Sequence, residues 1–111
     1  MLWVISCTDK PNIEDVHQPA LEAHNKYLDA RFAEGSLVLA GGAVGLDGKT
    51  RVGSLFIVNF KTSAEARAFY EAEPLTQAGV FANATITGVK KNRWNPDAAA
   101  TAEGKGITLP R

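Results

Sequence analysis

Two short stretches hold residue types that move protons. LEAHNKYLDARF, at 21–32, sets His24 beside an apolar stripe, and EAEPL, at 71–75, places Glu73 directly before a proline. Imidazole changes charge near pH ~6.5, which suits a general base or acid at ordinary working pH. Spacing residues by 100° brings Leu21, Leu28 and Phe32 to one side of a helix, with Glu22, Lys26 and Asp29 opposite and His24 on the border of the stripe. From there the ring reaches a cleft between helix and sheet, or bonds a backbone carbonyl as a boundary histidine. Glu73 ends a second helix on the side of Ala66, Phe69 and Tyr70, so its carboxylate points toward the core face. An acid at a helix C-terminus meets the negative end of the macrodipole, a penalty of roughly 0.3–1 kcal/mol, and needs a donor. His24 or Arg31 from the first helix would supply one, and a carboxylate–imidazole pair orients and tunes a base. The alternative is a frayed helix end with Glu73 in water. His24 and Glu73 are therefore the candidate catalytic residues.

Gly41, Gly42, Ser54 and Arg31 are the candidate substrate-binding residues. The two glycines and Ser54 are expected on paired central strands, where glycine marks either a bulge or the close approach of a ligand. Ser54 shares a strand face with Val52 and Phe56, so its hydroxyl is expected to be buried and to need a backbone or substrate partner. Other signals carry less. His17 and His24 lie seven residues apart, ~10 Å along a helix, and neither has a ligand at zinc spacing, so no metal is expected. GGAVGLDG, at 41–48, imitates a dinucleotide fingerprint but leads into a hairpin, not a helix N-terminus, so no cofactor is expected. Lys90, Lys91 and Arg93 form a basic patch beside Trp94 without the aromatic pattern of an RNA-binding sheet, and read as solvated strand-end charges. Cys7 reads as a packed thiol.

The elements that must position these residues follow from periodicity and punctuation. LWVISCT, at 2–8, is a strand. A helix of about four turns starts near 17, and Gly35 stands where a C-cap belongs. SLVLAGGAV, at 36–44, and RVGSLFIVNF, at 51–60, form a hairpin about an Asp-Gly pair. Thr62 or Ser63 caps a second helix that ends near Glu73, because Pro74 disfavours helical geometry in the residue before it. ANATITGVKKNRW, at 82–94, alternates as a last strand. The order βαββαβ predicts a ferredoxin-like α+β fold, a four-stranded antiparallel sheet with two helices on one face. Strands one and three are apolar on both faces, so the face without helices needs a cover, and a homodimer packed sheet to sheet provides one. The domain is assigned to 1–94. The tail, 95–111, has little to bury and is expected to be disordered or an arm on the partner subunit.

The 111 residues suit one domain, and 12 basic against 12 acidic residues leave no net field to steer nucleic acid or an anionic membrane. One cysteine permits no internal disulfide. No charged n-region followed by a long apolar run opens the chain, and no stretch nears ~18 apolar residues, so a cytoplasmic protein is expected.

Taken in order, the opening strand, AHNKYL at 23–28, EGSLVLAGGAV at 34–44, GSLFIV at 53–58, EAEPLTQAGVF at 71–81 and ATITGVKKNRW at 84–94 resemble the YciI-like family, the YCII-related domain, over about residues 1–94. The resemblance implies a dimeric α+β barrel and a histidine–aspartate dyad proposed as an active site. The histidine falls on His24 and the acid on Glu73, one methylene longer than the family's aspartate. The Arg-Pro that usually precedes the Ala-His pair is here Leu21-Glu22. One relative is tied to dehydrochlorination of chlorinated aromatics, and barrel cousins include isomerases and monooxygenases. The resulting expectation is a small cofactor-free enzyme performing isomerisation, elimination or hydrolysis on a small organic, partly apolar molecule. The competing expectation is a ligand-binding or interaction dimer in which His24 only lines a pocket.

Overall fold

The computed structural model describes residues 1–99, 101–102 and 107–108. Its elements run β1 (Leu2–Asp9), α1 (Glu14–Glu34), β2 (Leu37–Val44), β3 (Arg51–Asn59), α2 (Ser63–Ala72), α3 (Pro74–Gln77), β4 (Phe81–Val89) and α4 (Pro96–Ala99), followed by the two-residue β5 (Thr101–Ala102) and β6 (Ile107–Thr108). The main sheet has the order β2-β3-β1-β4 with every neighbour antiparallel, the ferredoxin-like α+β arrangement. β5 and β6 pair apart from it, and about half of the expected tail, 95–111, lies outside the described residues.

Local chemistry accounts for the boundaries. Gly35 closes α1 in the left-handed conformation at φ 90°, its N–H reaching back to the Phe32 carbonyl. α1 starts at Glu14, about a turn earlier than the apolar spacing implies, with Glu14 and Asp15 at the end of the helix where acid is favoured. Thr62 caps α2 by accepting from the Glu65 amide. In the β2–β3 turn Asp47 accepts from the amides of Lys49 and Thr50, each at 2.9 Å, and these bonds with the Thr50 hydroxyl hold its carboxyl down to about 2. The helical turn at Pro74–Gln77 is new: Pro74 suits a first helical position, and four residues are too few to display a period. The last strand stops at Val89, so Lys90 to Trp94 lie beyond it.

The core forms where α2 and α3 meet the sheet. Ile5 pairs with Phe56 on one side and Ile86 on the other, and Cys7 with Ser54 and Ala84, so these residues share the helix-facing surface. Phe69 of α2 packs edge-on against Phe56 at 5.5 Å and tilted against Tyr27 at 5.4 Å, while the Tyr27 hydroxyl donates to the Phe69 carbonyl at 3.0 Å. Val52 leaves the Phe56 face, because the β2–β3 register shifts between Ala43 and Val44, and it is exposed. Gly41 and Gly42 sit on β2, which is an edge strand and not the central position expected of it. No residue of α1 is fully buried; Leu21, Tyr27 and Leu28 are only half covered. Beneath that helix the run Ala40, Gly41, Gly42 offers almost no side-chain volume, and the unfilled space is a pocket.

Candidate active site

The pocket has a volume of about 290 Å³ between α1 and the β2–β3 side of the sheet. His17, Leu21, His24 and Leu28 form its helix wall; Gly41, Gly42, Arg51, Ser54 and Phe56 form its sheet wall, with Leu75 of α3 at one end. Leu21 contributes an apolar side chain to the helix wall.

Glu73 is the residue between α2 and α3, with extended backbone at φ −67° and ψ 127°. That break, forced by Pro74, turns its side chain inward, where it is fully buried. Its Oε2 accepts from the Leu75 amide at 2.9 Å, so it caps the helical turn that follows it. Its Oε1 is hydrogen-bonded to Nδ1 of His24, whose side chain is 14% exposed at the pocket wall. The acid at the end of α2 thus has two partners within the chain. With Glu73 a carboxylate and the ring neutral, Nδ1 carries the proton and Nε2 keeps its lone pair.

A second polar group lies on the sheet wall. Arg51 donates through Nε to Asp9 Oδ2 at 2.9 Å and through Nη2 to Asp9 Oδ1 at 3.2 Å, and Nη2 also donates to the buried Ser54 hydroxyl at 3.0 Å. Ser54's partner is therefore a guanidinium. Burial and the Arg51 charge lower the His17 pKa from 6.5, with Asp9 acting weakly the other way. Cys7, buried below, is pushed up to about 12 by desolvation and by the nearby carboxylates of Glu73 and Asp9. Among the described residues no group of three or more His, Cys, Asp or Glu is placed to hold a metal ion.

Of the residues singled out in the sequence, His24 and Glu73 meet, and Gly41, Gly42 and Ser54 share their pocket. Arg31 is placed elsewhere. It lies two helical turns beyond His24, 5.1 Å over the Tyr27 ring, with Nε 2.7 Å from Glu34 Oε1 though poorly aligned for a hydrogen bond. Arg51 and Asp9 escaped the sequence reading. Their one signal is positional: opposite charges at the end of β1 and the start of β3 adjoin once those strands pair antiparallel.

The model of the YCII-related domain matches residues 1–94. Protein YciI of Escherichia coli and that of Shigella flexneri are each 29% identical to the chain over 96 residues, spanning 82% of it and 98% of the relative. Among solved structures, the complex of the 5-chloro-2-hydroxyhydroquinone dehydrochlorinase TftG from Burkholderia phenoliruptrix with 2,5-dihydroxybenzoquinone superposes with a TM-score of 0.69 at 30% identity, covering 81% of this chain and 94% of that one. An antibiotic biosynthesis monooxygenase, at 16% identity and a TM-score of 0.51 over 84% of this chain and all of that one, shares the fold alone. The matched span takes in every strand of the main sheet and both walls of the pocket, and the chain belongs to the YCII-related domain family.

Proposed function

We propose that the protein is a small-molecule enzyme working by general acid–base catalysis, with His24 as the proton-transferring group and Glu73 as the acid that orients it. One observation carries the reading: the Nδ1 nitrogen of His24, a residue lining the pocket, is held by a fully buried carboxylate. A histidine serving only to fill a boundary needs no carboxylate brought out of water, since burying that charge is costly unless it is fully hydrogen-bonded. The dehydrochlorinase activity of the relative at 30% identity supports elimination from a hydroxylated, halogenated ring as the reaction to try first. In that reaction Nε2 takes a hydroxyl proton from the substrate and returns it to the halogen-bearing ring carbon, giving the keto tautomer; loss of a second hydroxyl proton to Nε2 then drives an electron pair through the ring, and the halide departs with the pair that bound it, leaving a quinone. Isomerisation uses the same base with the proton returned at another atom. A second copy of the chain covers the open sheet face in this reading, and no metal or organic cofactor takes part.

The test is a panel of chlorinated hydroquinones followed by chloride release. His24→Ala should lower kcat at least ~100-fold, the usual span for loss of a general base; because it strands the buried Glu73 carboxylate it should also lower the melting temperature, so kcat is read well below that transition. Retained turnover in a folded His24→Ala protein would overturn the assignment. Ligand binding without turnover in the wild type would leave a binding module. Independently of any substrate, ¹⁵N spectra of the imidazole should report one tautomer, protonated at Nδ1, and a mixture in Glu73→Gln.

A further inference from the structure

From the sheet wall of the same pocket we infer that Arg51, with Ser54, is an oxyanion site, so that the molecule taken up carries a phenolate or carboxylate oxygen. The inference rests on the pocket being a substrate pocket. A guanidinium offers five N–H donors. The Nε–H and both on Nη2 are engaged by Asp9 and Ser54, which leaves the two on Nη1. Nη1 faces Gly42, where an added Cβ would lie 3.4 Å away, so the glycine is what keeps that end of the fork open. Ser54 accepts from Arg51 and is 3% exposed, and its own proton has no acceptor among the described residues. Two kinds of donor therefore share one wall, with no acceptor for them among the described residues.

The surroundings fit this use. Asp9 holds the fork along one edge and fixes its plane, and a planar fork so fixed receives a flat oxyanion with little loss of freedom. His17, on the helix wall, has its pKa lowered by burial and by Arg51 itself, and the guanidinium is the permanent cation of the pocket. His24 stands on the opposite wall. When it removes a proton the substrate gains negative charge, and fixed donors aimed at that charge stabilise the transition state more than the ground state.

The test is binding, read without turnover. The full-length protein is titrated with benzoate against benzamide, for the carboxylate, and with 4-nitrophenolate against 4-nitroanisole, for the phenolate. At least one anion should bind about tenfold or more tightly than its neutral partner, the worth of one charge-assisted hydrogen bond; which pair shows the preference identifies the source of the oxygen. The preference should vanish in Arg51→Met. Because that change strands Asp9, the double variant Arg51→Met with Asp9→Asn is measured beside it, and Arg51→Lys should recover only part of the preference. Equal binding of anions and neutral partners by the wild type overturns the inference, as does a preference that survives in the folded double variant. The catalytic reading fails separately: an anion preference with no His24-dependent turnover removes the enzyme and leaves the site.

Discussion

Glu73 ends α2, caps α3 and holds His24, so its removal has both a stability and a chemical consequence. Glu73→Ala leaves the buried Leu75 amide without an acceptor and opens a cavity, and should cost about 1–3 kcal/mol in urea denaturation from the unmet donor alone. Glu73→Gln, which keeps the volume and one acceptor oxygen, should lose less stability. Cys7 makes the complementary case: burial and the nearby carboxylates raise its pKa to about 12, so at pH 8 the native thiol should resist iodoacetamide, reacting only in denaturant. Rapid alkylation of folded protein would contradict its placement. At this scale the sequence disclosed what depends on local spacing. His24 was legible because 100° steps put it at the edge of a stripe, and Glu73 because Pro74 fixes where the helix must stop. Arg51 was not: its partner Asp9 is 42 residues away, and a charge opening a strand reads as solvated until the strands are paired.

Between elements, β1 and β3 approach so closely at Gly53 that a Cβ there would stand 1.8 Å from the Cys7 carbonyl oxygen, a backbone atom with no rotamer to escape to. Gly53→Ala should therefore destabilise by more than about 4 kcal/mol or prevent folding, measurable by loss of the thermal transition. His17 of α1 faces Arg51 of β3, and its lowered pKa makes the neutral ring the form the fold prefers. The stability this contributes is present above pH ~6.5 and is lost as pH falls through the depressed folded value. His17→Gln should flatten the acid limb of the stability profile below about pH 6.5; an unchanged limb would mean that His17 is not desolvated. The strands, the hairpin and both long helices were readable as periodicities of two and 3.6. The edge position of β2 was not, since a hairpin specifies which strands adjoin and not which one borders solvent. The α3 turn was hidden by its brevity.

For the molecule as a whole, the face of the sheet away from the helices carries Val4 paired with Ile57, Leu55 beside them and Leu39 on β2, all half covered or exposed. That both faces are apolar could be read from the strand sequences alone, and it motivates the proposed two-fold dimer. Ile57→Glu would place a charge at the centre of that contact, where an unpaired buried carboxylate is strongly unfavourable. Sedimentation should find wild type as a dimer and Ile57→Glu as a monomer; a monomeric wild type at micromolar concentration would refute the arrangement. Among the described residues no helix is long and apolar enough to cross a membrane.

The bond from the Leu75 amide to Glu73 has a practical use while the substrate remains to be found. That single proton is a spectroscopic gauge of the site. Its rate of exchange with deuterium and its chemical shift follow whether the carboxylate is seated, so any compound that engages the dyad should register at Leu75 before a product can be assayed.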